Sequence, residues 1–152
     1  ICAGIQLCRD DQHPVVHAMV INCCANWHRR EGSGFGSIDT RLLPNSANGK
    51  VVYAEKCASC HGLQGLGIKT AIGGYAMPPL WGKDSFNDGA GMARTYTAAA
   101  FVKYKMPLGQ GGTLTDQQAI DVSEYFTHQP RPVFKGKAKD WPQGNKPKDA
   151  RI

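Results

Sequence analysis

The stretch Cys57-Ala58-Ser59-Cys60-His61 constrains this chain more than any other. Two cysteines with two residues between them can add across the two vinyl groups of haem as thioethers. The residue that follows, His61, is then placed under the iron as an axial ligand. Zinc would need four nitrogen or sulfur ligands. Cys57 and Cys60 would then require a second pair, and Cys23 and Cys24 are adjacent, which is poor geometry for two corners of one tetrahedron. A thioredoxin-like redox motif would sit in a βαβ context, which the surrounding sequence lacks. The expectation is one covalent haem (heme c) on Cys57 and Cys60.

Such a haem needs a second axial ligand from downstream, and a thioether sulfur raises the reduction potential of the iron. The candidates are Met77, Met92 and Met106. Met77 sits beside Pro78 and Pro79, and Met92 falls early in a helix, where packing is its natural role. Met106 is followed by Pro107 and Gly109, in a turn after a helix, which can hold its side chain out toward a flat cofactor. Met106 is therefore the expected ligand. Lys105 beside it is the alternative: ferric iron tolerates an amine better, ferrous iron prefers the thioether. The amine must first lose its proton, whose unperturbed pKa is ~10.4. That exchange requires a mobile loop, which Gly109, Gly111 and Gly112 suggest. A ligating histidine usually donates its other ring N–H to a carbonyl. The stiff turn Pro78-Pro79-Leu80-Trp81-Gly82 is suited to offering the Pro78 carbonyl to His61, with Leu80 packed on the haem.

The 152 residues suit one domain with an appended segment. Residues 1–30 are rich in Cys, His and Arg without a helical or strand period. A linker-like run of Gly, Ser, Pro and Asn follows, so residues 1–44 read as an appendage and linker, and 45–152 as the domain. Helices are expected near 49–57 (capped by Asn48), 91–104 and 115–128. The first delivers Cys57. The second carries Met92, Tyr96, Ala99 and Val102 on one face, and the third opens with a Thr115–Gln118 capping box. A long loop joins the first two, and from about residue 130 a polar tail should lie extended over the surface. The fold class is all-α, with a loop-rich haem pocket and one haem edge exposed.

The net charge is +6, much of it in the tail at Lys135, Lys137, Lys139, Lys146, Lys148 and Arg151. That balance favours acidic redox partners. It argues less for nucleic acid, because no stacking aromatics interleave with the charges. No apolar run approaches the ~20 residues of a membrane span. The chain begins at Ile1, as expected of a mature or truncated form whose export signal is gone.

The order C-x-x-C-H, then P-x-L-x-G, then a helix ending in Met-Pro, then a closing helix with aromatics resembles a class I cytochrome c over residues 45 to 130. In that family the first and last helices cross where a glycine meets an aromatic, which Gly49 and Tyr53, opposite Tyr125 and Phe126, match. "YAEKCASCHG", "PPLWGKDSFNDGAGM", "KMPLG" and "SEYFTHQPRP" together resemble the C-terminal haem domain of the tetrathionate-forming thiosulfate dehydrogenases, two-haem periplasmic proteins. There the N-terminal haem is catalytic and the C-terminal haem passes electrons out. This chain has one C-x-x-C-H, and "CCANWH" lacks the attachment spacing, so the catalytic half is expected to be missing or unrecognisable, with a catalytic haem domain or subunit as a candidate partner.

Residues 1–30 carry Cys2, Cys8, Cys23 and Cys24, among which an oxidising compartment permits disulfides. The segment is alternatively an out-of-frame product, since codons for Asp10 to Arg29 exist whose shifted reading resembles the end of a catalytic domain and its linker. The resemblance implies a periplasmic, monohaem, His/Met-ligated electron carrier in sulfur-compound oxidation. The alternatives are a thiosulfate dehydrogenase or a fragment of one, and a haem-based sensor.

Overall fold

The computed structural model describes residues 35–150. The expectations for residues 1–30, including the disulfides, fall outside these residues. Among these residues, four α-helices and a two-stranded hairpin are formed in the order α1 (Ser46–Lys56), α2 (Ala58–His61), β1 (Ile68–Lys69), β2 (Tyr75–Met77), α3 (Thr95–Lys105) and α4 (Asp116–Thr127). This is the expected all-α architecture, with a little sheet added.

Helix α1 starts three residues earlier than the sequence suggested. Asn45 is its N-cap, and its side-chain oxygen accepts the Asn48 N–H at 3.1 Å. Asn48, expected as the cap, instead donates its side-chain amide to Asp121 on α4 at 2.6 Å. The Asp121 carboxylate is buried and also accepts the Asn45 N–H and the Gln117 amide, so its charge is well satisfied. Helix α4 opens with the expected capping box, Thr115 and Gln118 satisfying each other's backbone N–H groups.

The second expected helix is broken. Gly91–Ala93 form a 3-10 turn, Arg94 is extended, and α3 begins only at Thr95. Met92 thus lies outside the helix. Arg94 cannot cap α3 with its own side chain. Asp149, 53 residues beyond Tyr96, does so from the tail by accepting the Tyr96 N–H at 3.0 Å.

Helices α1 and α3 both pack on α4. The α1–α4 crossing turns on Gly49, where a Cβ would lie 1.9 Å from the Asp121 carbonyl oxygen and 3.0 Å from the Tyr125 Cβ. No other residue permits that approach. Beside it the rings of Tyr53, Trp81 and Tyr125 meet with centroids 5.1–5.9 Å apart. Ala98 and Ala99 of α3 and Ala119, Ile120 and Val122 of α4 are fully buried in the same core as Val52, Val102, Leu114 and Phe126.

Two irregular segments are tied to this frame more firmly than their composition suggests. Residues 35–44, read as linker, lie along α3 and the start of α4. Phe35 meets Phe101 edge-on, Ser37 O accepts from Tyr104 Oη, Leu42 O accepts from Tyr96 Oη, and Asp39 N–H donates to Asp116. The tail is not merely extended over the surface. Pro130 O and Pro132 O accept the Gly82 and Asp88 N–H groups, and Asp88 receives the Phe134 N–H and pairs with Lys137.

Candidate haem site

Helix α1 runs into α2 through Cys57, whose N–H still donates to Tyr53 O. The Cys60 and His61 N–H groups both return to Cys57 O, so the motif is one tight helical turn. Cys57 is half-buried and Cys60 exposed. Burial, and then the neighbouring Cys60, push the Cys57 thiol up to about 11. Before haem is attached it therefore stays a thiol at neutral pH rather than a thiolate ready for disulfide exchange.

His61 is buried, and its Nδ1 lies 2.8 Å from Pro78 O. A carbonyl oxygen can only accept, so Nδ1 carries the proton, and in the neutral tautomer this bond selects the lone pair lies on Nε2. That is the tautomer a metal-ligating histidine needs. The structure thus brings together His61 and Pro78, the pair expected from the proline turn.

The glycine-rich loop after His61 makes this contact possible. Gly65 has φ +61°, and a Cβ there would lie 2.4 Å from the Trp81 ring. Its carbonyl accepts the Leu80 N–H at 2.8 Å, and Gly67 N–H returns to His61 O at 3.0 Å. The proline turn is therefore docked against the motif loop by backbone bonds. Tyr53 joins from the other side, donating its hydroxyl to Gly62 O at 2.7 Å, and burial pushes its ionisation up. Gly65, Trp81 and Tyr53 were not singled out as site residues. The glycine spacing in "GLQGLG" was the available signal for Gly65.

Cys57, Leu80 and Met106 all pack, half-buried, against the one core cluster. Met92 packs there too, whereas Met77 lies on β2 opposite Ile68. Met106 is the first residue after α3, with its N–H on Val102 O. Lys105 beside it is exposed. The following loop is less free than its glycines suggested. Gly112 N–H donates to Lys103 O at 2.6 Å, and a Cβ on Gly111 would lie 2.2 Å from Tyr104 O. A Cβ on Gly109 or on Gly112 would meet nothing within 4 Å. Two cysteines on one helical turn, and a buried imidazole whose Nδ1 faces the Pro78 carbonyl, fit a covalently held haem.

The family model for cytochrome c matches residues 46–130. The chain belongs to the cytochrome c family. Its cofactor is accordingly a covalently bound c-type haem, and the domain is an electron-transfer module. A thiosulfate dehydrogenase of Psychrobacter arcticus is 59% identical over 121 residues, which are 80% of this chain and 37% of that protein. Another, of Allochromatium vinosum, is 45% identical over 103 residues, 68% of this chain and 38% of that one. Among solved structures, a thiosulfate dehydrogenase of Marichromatium purpuratum in its as-isolated form shares the fold with a TM-score of 0.62 and 37% identity. That match covers 78% of this cytochrome and 26% of the neighbour. This cytochrome thus spans well under half the length of the relatives it matches. No helix among its described residues is long and apolar enough to cross a membrane.

Proposed function

We propose that this cytochrome is a monohaem electron carrier of periplasmic sulfur-compound oxidation, with the haem on Cys57 and Cys60, His61 and Met106 as axial ligands, and acidic redox partners. The observation that supports the ligand reading is the His61 Nδ1 to Pro78 O bond at 2.8 Å, which orients the ring and leaves Nε2 to face the iron. When bound, the haem supplies the one-electron couple. The polypeptide's part is to hold it, orient it and set its potential. His61 is fixed by Pro78, and Pro78 is held by the Leu80–Gly65 backbone bond. Met106 is delivered by the last turn of α3. With both axial positions taken by the chain, substrate has no open site at the iron. This favours electron transfer over chemistry at the metal.

The identity to thiosulfate dehydrogenases supports the sulfur-compound context. It also favours a second reading, that this domain is the electron-exit part of such an enzyme, whose catalytic haem domain lies in a separate segment or subunit. Intact mass and a pyridine haemochrome assay per mole of chain test the haem count, and one haem is expected. The ferric protein should show the weak far-red sulfur-to-iron band. Met106→Ala should abolish the band and lower the potential, while Met92→Ala and Met77→Ala leave both in place. Lys105 remains the alternative ferric ligand, and Lys105→Ala should then increase the band at neutral pH. Thiosulfate should not reduce the isolated protein. Rapid reduction would favour the enzyme reading.

A further inference from the structure

The loop that carries Met106 has a staple across its base. Lys103, three residues before Met106, forms an ion pair with Asp116, the first residue of α4. Between these anchors the chain runs out through Met106 and back to the buried Leu114. Both side chains are only about a quarter exposed, at 22% and 27%. The second Asp116 oxygen accepts the Asp39 N–H at 3.0 Å, so residues 35–44 are fastened at the same point. The hydrogen bonds from Lys103 and from the Asp39 N–H hold the Asp116 carboxyl below its ordinary value, and Lys103 is raised in turn by Asp116. The Lys103 carbonyl also takes the Gly112 N–H at 2.6 Å. One residue therefore ties the loop's return strand by its backbone and α4 by its side chain.

We propose that Asp116 is a positioning residue for Met106, acting through Lys103 to keep the ligand loop closed over the haem. The inference rests on Met106 being the axial ligand, as proposed above. Displacing the methionine requires residues 107–112 to swing away. Gly112 must leave Lys103 O, and the last turn of α3 must loosen from α4. With the staple intact, the loop's ends are held together and fewer open conformations are available to it. With the staple cut, the closed state loses an ion pair of a kind whose removal changes an equilibrium by about three- to fivefold. None of these residues touches the reacting atoms. Asp116 acts only by biasing the loop.

Imidazole is the probe. It competes with methionine sulfur for ferric iron, which favours nitrogen donors, and its binding requires the loop to open. Spectrophotometric titration of the ferric holoprotein reads the apparent affinity directly. Asp116→Asn should bind imidazole about three- to fivefold more tightly than the parent. Lys103→Met should match it, and provides the same information if the first variant folds poorly. Thr115→Ala removes the capping box from the same end of α4 without touching Lys103, and should leave the affinity unchanged. The proposal is overturned if Asp116→Asn and Lys103→Met bind imidazole like the parent. It is equally overturned if Thr115→Ala raises the affinity as much, because general loosening of α4 then accounts for the effect. A Met106→Ala arm separates the two layers of the argument. It should bind imidazole more tightly than any of these variants, and an affinity equal to the parent's would overturn the ligand assignment itself.

Discussion

At the scale of single residues, backbone proximity decides more than side-chain identity. Gly49 sits in the middle of α1, where helix propensity alone predicts that alanine would stabilise by roughly 0.5–1 kcal/mol. The structure predicts the opposite sign. The added methyl would lie 1.9 Å from the Asp121 carbonyl oxygen, and that atom is backbone in a fully packed helix. Overpacking of this kind costs about 1–3 kcal/mol, and α1 would have to move off α4 to relieve it. The expected outcome for Gly49→Ala is therefore a lower thermal midpoint, followed by the Soret band or far-ultraviolet circular dichroism. A midpoint equal to or above the parent's would show that the helices are not in such close contact. The same displacement would shift Tyr53, whose hydroxyl holds Gly62 O beside the haem motif.

At the scale of elements, what was legible in the sequence is what is local. The Thr115–Gln118 capping box spans three residues, so α4 could be bounded to within a residue or so. The C-x-x-C-H turn and its proline partner are short patterns with fixed chemistry, and the structure places His61 and Pro78 in contact as their spacing suggested. The hairpin β1–β2 was read as loop, because strands of two and three residues carry no alternation to detect. The first helix was started too late because Asn45 and Asn48 are equally good cap residues, and only the Asp121 contact distinguishes them. The break at Arg94 was hidden because its remedy, Asp149 on the Tyr96 N–H, comes from 53 residues beyond Tyr96 in a tail that looked featureless. That remedy is testable. Removing a side-chain cap typically costs about 0.5–2 kcal/mol, whereas asparagine caps nearly as well as aspartate. Asp149→Ala should lower the denaturation midpoint accordingly, and Asp149→Asn should restore most of the loss. Equal behaviour of the two variants would mean that Asp149 stabilises by charge alone.

For the whole molecule, a basic chain is held together at a few carboxylates. There are 12 acidic residues against 18 basic ones, and four of the acids fasten the irregular segments to the helices. Asp116 and Asp121 hold residues 35–48, and Asp88 and Asp149 hold the tail. Burial pushes Asp88 up, but the Lys137 ammonium and the Phe134 N–H outweigh it and leave the carboxyl below its ordinary value. Asp39 is lowered to about 2 by its hydrogen bonds from Arg41, and Asp116 is lowered by Lys103. A carboxyl whose folded pKa is depressed contributes stability that is complete above the unfolded value of about 3.9 and is lost as pH falls through the folded value. Stability should therefore be level from neutral pH down to about 5 and fall steadily below about 4. Asp88 gives the sharpest form of this expectation. Asp88→Asn cannot pair as an anion with Lys137, so at pH 7 it should melt below the parent. As pH falls through its folded value, below the ordinary carboxylate range, the parent's own Asp88 is neutralised, and the two melting temperatures should converge. A gap that stays constant from pH 7 to pH 2 would show that Asp88 fastens the tail through geometry rather than charge.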